Sequence, residues 1–394
     1  MKVLFLLTNY PGFGGIEKVT SYLVSFLRKK SINTTILSFG SNAKELIDKE
    51  SRDRLFFVPD KQNYTSKANL EYINNHLEES DYDVIVFQDS YAPVHYIFEK
   101  IAYPWFKKLI IVEHNTPLYA IKTVNSYFYF DKGFPFFLKR VLYYIPSVIK
   151  AYYASRKRRL FLLNNCKKYV LLSEIYKKDI NCIVGRKFDD KIISITNPLT
   201  IQPGDNKTDF CKIKNKQILF VGRMTNQKGF SFLMKIWKEF SKINKDNWEL
   251  VLLSAGADKE KLEQLINKQG LVNIRIDKPT TEIHRYYEES AILVMTSIYE
   301  GFPLVLAEAM SRGSVPIVFD SFKSVHDIIE NGVNGIIVKA FGIKRYAKEL
   351  GRLVEDKTLR EMMAKDAIQT SKKFNIEAIG TKWIELFNEI NMEQ

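Results

Sequence analysis

Short aliphatic runs alternate with longer amphipathic stretches along nearly the whole chain, and this alternation restricts the fold more than any other feature. The runs are Lys2–Thr8, Thr34–Ser38, Leu55–Val58, Val84–Phe87, Leu109–Val112, Tyr169–Leu172 and Ile192–Ile195, with further ones beginning at Ile218, Leu250, Ile274, Ile292, Val315 and Ile336. Short, bounded apolar runs read as strands covered on both faces. After the first, Val19, Tyr22, Leu23, Phe26 and Leu27 recur at helical spacing. The pattern predicts an α/β protein with doubly wound parallel sheets. A chain of 394 residues exceeds the roughly 250–300 at which single cores stop growing, so two domains are expected. Pro198 to about Asn215 is polar and holds Pro203 and Gly204, which reads as a linker. The expected division is residues 1–200, residues 201–375, and a terminal helix over 376–394 that packs back on the first domain.

The run Ala291–Met295 leads through Tyr299-Glu300-Gly301-Phe302-Pro303 into a helix over Leu304–Arg312. A strand, a tight loop and a helix start present free N–H groups and the positive end of the helix dipole to an anion. Glu300 and Glu308 flank that point. Carboxylates do not bind phosphate, but they accept hydrogen bonds from vicinal hydroxyls. A molecule with a diphosphate between two polyols, as in a nucleotide sugar, suits the arrangement. The alternative is a first-turn glutamate favoured by the dipole and an ordinary surface glutamate on the helix. A second loop, Gly222-Arg223-Met224-Thr225-Asn226-Gln227-Lys228-Gly229, follows the strand at Ile218–Val221. Its two cations can clamp a diphosphate, Arg as a planar fork and Lys as a mobile point charge.

The combination of Phe220-Val221-Gly222-Arg223, Gln227-Lys228-Gly229, Glu300-Gly301-Phe302-Pro303 and Glu308-Ala309 resembles the retaining glycosyltransferases of family 4, from Met1 to about Trp383. The resemblance implies the GT-B fold, two Rossmann-like doubly wound domains facing across a cleft, with the acceptor on the first and the nucleotide sugar on the second. It implies a hexosyltransferase of the kind that builds bacterial cell-surface polysaccharides, lipopolysaccharide or capsule, with UDP the expected donor nucleotide. Arg223, Lys228, Glu300 and His114 are the expected catalytic residues. Gly14, Gly15, Gly222, Arg223, Lys228, Glu300, Gly301, Phe302, Leu304, Val305 and Glu308 are the expected donor-binding set. No Asp-x-Asp motif stands where a metal would be needed, and two cations can replace a divalent ion, so neither metal nor cofactor is expected. Competing readings are a GT-B nucleotide-sugar epimerase or hydrolase, and a non-catalytic sugar-nucleotide-binding subunit.

In the first half, Gly12-x-Gly14 has part of a dinucleotide fingerprint, but position 17 is Glu and no acid stands near the end of the next strand. Gly14 and Gly15 enter the donor set by resemblance alone. His114 lies just past the run Leu109–Val112, where α/β folds place ligand contacts; otherwise it is a strand-end histidine without a role. His76, His95, His284 and His326 read as structural. Residues Ser254–Asp258 depart from the Gly-x-Gly that the family usually has at this loop.

The net charge of +14 is concentrated. Residues 1–200 carry 30 Lys and Arg against 19 Asp and Glu, and the rest 29 against 26. The segment Leu118–Arg159 interleaves aromatics such as Tyr127, Phe130, Phe136, Tyr143 and Tyr153 with Lys and Arg, and ends in Arg156-Lys157-Arg158-Arg159. It reads as an anionic membrane surface anchor or as core helices with solvated basic faces; no nucleic-acid motif accompanies it. The N-terminal apolar run is too short for a signal peptide and no stretch approaches the ~20 apolar residues of a spanning helix. The expected location is cytoplasmic, peripheral at the inner face of the membrane. Three cysteines without metal spacing fit a reducing compartment.

Overall fold

The computed structural model describes the chain except residues 13, 44–53, 91–94, 102, 129–139, 202–208, 212–213, 245, 255–258 and 393–394. Two compact units emerge. The first comprises Met1–Ala120, Val148–Thr200 and Phe374–Gln394, and the second Ile121–Ser147 and Ile201–Lys373.

In the first unit the strands are β1 (Lys2–Asn9), β2 (Asn33–Gly40), β3 (Leu55–Phe57), β4 (Val84–Phe87), β5 (Leu109–Glu113), β6 (Lys168–Leu171) and β7 (Ile192–Ser194). They form one parallel sheet in the order β3-β2-β1-β4-β5-β6-β7. β4 and β5 are buried along their whole length, which is why they read as continuous apolar runs. The helix Gly15–Lys29 turns Val19, Leu23, Val24, Phe26 and Leu27 inward. Against it lies the last helix, Ile376–Met392. A side chain at Gly380 would meet the ring of Phe26 at 2.2 Å, so the two helices approach at a glycine.

The second unit carries β8 (Asn215–Val221), β9 (Glu249–Leu253), β10 (Ile274–Asp277), β11 (Ser290–Met295), β12 (Val315–Asp320) and β13 (Ile336–Lys339). All pairs are parallel, in the order β10-β9-β8-β11-β12-β13. In each sheet the chain order reverses once at the centre, at β1/β4 and at β8/β11. Open α/β sheets bind ligands beyond the carboxyl ends of the strands at such a point. These are two Rossmann-like domains.

The boundary expected at residue 200 needs one correction. Ile121–Ser147 groups with the second unit. Two bonds show why: Lys122 Nζ donates to Ser321 O at 2.6 Å, and Thr123 Oγ1 shares a hydrogen bond with Tyr299 OH at 3.0 Å. Neither partner can be anticipated from local pattern, since each lies more than 170 residues away.

Candidate active site

β8 and β11 are neighbours, and the loops that follow them bring together the charged residues singled out above. After β8, residues 222–229 turn tightly, with Thr225 N donating to Arg223 O (2.8 Å) and Lys228 N to Thr225 O (3.1 Å). After β11, residues 296–303 enter the helix Leu304–Ser311, whose capping position is Pro303 and which has no side-chain cap. The loops are stitched to each other. Ile298 N donates to Gln227 O at 2.7 Å, Gln227 Nε2 to Tyr299 O at 3.3 Å, and Thr296 Oγ1 to Lys228 O at 3.0 Å. Gly229 sits at their closest approach, with φ +66° and only 1.9 Å between an added Cβ and Thr296 O. That position admits no side chain.

Lys228 Nζ lies 2.7 Å from Glu300 Oε1, and the two side chains are 19% and 9% exposed. The aliphatic stem of Lys228 runs past Gly222, where an added Cβ would stand 3.4 Å from Lys228 Cδ. Arg223 is exposed at the same strand end. Gly301 and Phe302 are buried, and Leu304 and Val305, which open the helix, are half-buried. Glu308 is not on a solvated helix face: it is 2% exposed and accepts a hydrogen bond of 2.8 Å from Tyr287 OH. Burial, together with the Glu308 charge, pushes the Tyr287 hydroxyl well above the usual phenol range, so it remains a donor. The Lys228–Glu300 pair, Arg223 and an uncapped helix start therefore lie beyond the carboxyl ends of β8 and β11, with Glu308 enclosed in the second turn of that helix, an arrangement able to hold an anion flanked by hydroxyls.

In the first unit Gly14 caps the helix Gly15–Lys29, and both glycines are exposed. The space beside Gly14 is taken by the carboxylate of Glu17. His114, one residue past β5, lies with Nε2 2.6 Å from Gln88 Oε1. Desolvation lowers its pKa to about 4, so the ring is neutral at ordinary pH. Among the described residues no group of three or more His, Cys, Asp or Glu comes together to hold a metal ion.

Residues 207–370 match the family described as glycosyl transferases group 1. Over 387 residues, 97% of this chain and 98% of the relative, the chain is 27% identical to an uncharacterized glycosyltransferase of Haemophilus influenzae. It is 30% identical to the amylovoran biosynthesis glycosyltransferase AmsD of Erwinia amylovora over 238 residues, 60% of this chain and 66% of that protein. The fold matches that of Anabaena HepE, solved with UDP and glucose, at a TM-score of 0.74 with 14% identity over 99% of this chain and all of that one. The chain is a GT-B glycosyltransferase.

Within this glycosyltransferase, part of the basic aromatic segment behaves differently from the sequence expectation. Arg159, counted among the membrane-facing cations, is wholly buried. Its guanidinium is paired with Glu113 at the end of β5, Nε lying 3.0 Å from Oε2, and also donates to Ser155 Oγ and, at 2.7 Å, to Pro117 O. Tyr169 OH donates to the same carboxylate. The rest of the segment divides. Residues 129–139 lie outside the described residues, whereas Leu142, Tyr143, Ile145, Ile149 and Tyr153 are exposed, as are Lys150 and Lys157. The expected Ser254–Asp258 loop also lies largely outside the described residues. Tyr287 was not singled out from the sequence. A buried phenol requires a partner, but nothing in the spacing tells which carboxylate, 21 residues on, receives it.

Proposed function

We propose that the enzyme is a retaining hexosyltransferase of family 4. It moves a sugar from a nucleoside diphosphate donor, with UDP as the nucleotide, to a hydroxyl of a glycan or lipid-linked acceptor in cell-surface polysaccharide synthesis. The observation that carries this reading is the enclosed Lys228–Glu300 pair beside the uncapped start of Leu304–Ser311. Donor diphosphate takes over Lys228 and is met by Arg223 and the first-turn N–H groups. As the glycosidic bond breaks, negative charge grows on the β-phosphate, where these groups stabilise the transition state more than the ground state. Glu300 then faces the hydroxyls of the sugar, and Glu308 those of the ribose. The departing phosphate takes the acceptor proton, giving front-face transfer with retention. Support for the donor comes from HepE, solved with UDP and glucose, and for the pathway from the amylovoran role of AmsD. The cations supply the charge a divalent ion would, so activity is expected to persist in EDTA. The deciding experiment measures UDP release from UDP-hexoses with and without a lipid-linked acceptor. Release that depends on acceptor supports transfer; equal release without it indicates a hydrolase; no release indicates an epimerase where the UDP-sugar is converted to its epimer, and a binding subunit where it is left unchanged.

The Tyr287–Glu308 bond gives the ribose assignment its own test. Glu308→Gln is expected to weaken free UDP binding. Tyr287→Phe, which removes a bond to a charged group worth about 1.5–3 kcal/mol, is expected to weaken it by roughly tenfold or more. In the double variant the second change adds little, because one residue acts through the other. Additive losses, measured by calorimetry, would refute the coupling.

An anionic membrane surface is the proposed partner of the exposed part of the basic segment. No helix among the described residues is long and apolar enough to cross a membrane. The helix Ile145–Asn165 exposes Ile145, Ile149 and Tyr153 at i, i+4 spacing with Lys150 and Lys157 beside them, which suits the interface plane. Replacing Lys150, Arg156 and Lys157 by Ser, with Arg159 left in place, is expected to weaken co-sedimentation with anionic vesicles by roughly 10²-fold at low salt, at about 1 kcal/mol per cation. Wild type that stays in the supernatant at low salt sinks the proposal.

A further inference from the structure

The first unit carries its own line of polar groups at the carboxyl edge of its sheet. Gln88 directly follows β4 and His114 directly follows β5, which are neighbouring strands. Gln88 is 1% exposed. Its Oε1 lies 2.6 Å from His114 Nε2; an amide oxygen only accepts, so in this amide orientation that ring nitrogen is the donor and Nδ1 keeps a lone pair. The other end of the amide, Gln88 Nε2, is buried and has no hydrogen-bond partner among the described residues. The same holds for Ser90 Oγ, two residues beyond Gln88, for Thr8 Oγ1 in β1, and for Ser173 Oγ, two residues beyond β6. β1, β4, β5 and β6 are consecutive in the sheet. Buried polar atoms without partners are costly and uncommon, yet four of them lie at the carboxyl ends of β1, β4 and β6 in this sheet, whose strand order reverses at β1/β4.

All of these groups are uncharged: an amide, hydroxyls and an imidazole kept neutral by desolvation. A phosphate or carboxylate would find no cation among them. A hydroxyl both donates and accepts, and so does this edge. We propose that Gln88 is a carbohydrate-recognition residue, its Nε2 donating to a sugar hydroxyl while its Oε1 holds His114 as the Nε2–H tautomer, so that His114 Nδ1 accepts from a hydroxyl. This rests on the glycosyl-transfer reading and extends it to a position outside the nucleotide loops. Gln88 thus acts directly on the sugar and as a positioning residue for His114.

Two variants separate the roles. Gln88→Met removes the amide donor and the tautomer bond, and Gln88→Glu keeps an acceptor for His114 Nε2–H but removes the donor. Both are expected to lower kcat/KM for UDP-hexose turnover by 10- to 100-fold with free UDP affinity unchanged. A loss seen already with water as acceptor assigns the hydroxyl to the donor sugar; a loss seen only with an octyl glucoside assigns it to the acceptor. ¹⁵N-histidine NMR should show the Nε2–H tautomer of His114 in the wild type and in Gln88→Glu, and a mixture in Gln88→Met. Wild-type turnover in Gln88→Glu, an Nδ1–H tautomer in the wild type, or a parallel fall in UDP affinity each overturns the proposal. If Gln88→Met does not fold, Gln88→Glu decides alone. Unchanged turnover in the Gln88 variants with loss in Lys228→Ala overturns this inference only, whereas unchanged turnover in Lys228→Ala overturns the reading on which it rests.

Discussion

Lys228→Ala and Arg223→Ala each lower kcat/KM by ~10²- to 10³-fold, the usual cost of removing one donor from a developing oxyanion, with the fold intact. The structure makes the two losses distinguishable. Arg223 is exposed, so its removal leaves nothing stranded. Lys228 neutralises Glu300 at 2.7 Å, so its removal leaves a carboxylate that is only 9% exposed facing an incoming diphosphate. Lys228→Ala should therefore also weaken free UDP binding, and the further change Glu300→Gln should restore part of that affinity without restoring turnover. In Glu300→Gln alone, Lys228 is released from its partner, so free UDP binds at least as tightly as in the wild type while use of the nucleotide sugar falls. Calorimetry with UDP and steady-state kinetics with the UDP-sugar check all three. Near wild-type turnover in both Lys228→Ala and Arg223→Ala sinks the diphosphate assignment.

Arg159→Ser carries the largest stability effect, about 3–5 kcal/mol, because it strands a buried carboxylate. Both side chains of the Glu113–Arg159 pair are fully enclosed. Burial pushes the Glu113 carboxyl upward, but the Arg159 guanidinium and the hydrogen bonds from Arg159 and Tyr169 outweigh it and hold the group below the usual range. A carboxyl with a depressed folded-state pKa contributes stability that is present above its unfolded value. That contribution is lost as pH falls through the folded value. Denaturant titrations at neutral pH and in acid should thus show the variant and wild type converging in acid. Replacing Glu113 and Arg159 together by Leu and Met removes the stranded charge and should recover much of the loss. A small effect of Arg159→Ser on the denaturation midpoint at neutral pH rules out the buried pair as a major support.

The strands and both site loops were legible because their signals are local. A run such as Val84–Phe87 sits in a sheet covered on both faces, and Gly229 marks a loop whose backbone must touch Thr296. What escaped was set by distant partners. Arg159 sits in a run of four cations, and only the fold shows that one of them turns inward to Glu113, 46 residues away. Spacing placed Glu308 eight residues after Glu300 but could not tell a solvated face from a buried one. The hydroxyl of Tyr287 that meets it is contributed by the seven-residue helix Ile283–Glu289, too short to show a periodic face.

Neither unit is one continuous stretch of polypeptide, and synthesis feels this. Domains generally fold as the chain emerges, the N-terminal part first. Here the first 200 residues leave the ribosome without Ile376–Met392, the helix that meets Phe26 through Gly380. They also carry Ile121–Ser147, whose partners Tyr299 and Ser321 have not yet been made. The nascent first half therefore holds an unplaced segment until Tyr299 and Ser321 appear, and an uncovered apolar face until Ile376–Met392 does. Its folding is completed only once Ile376–Met392 has emerged, and a fragment ending near residue 200 is expected to depend on chaperones or to aggregate.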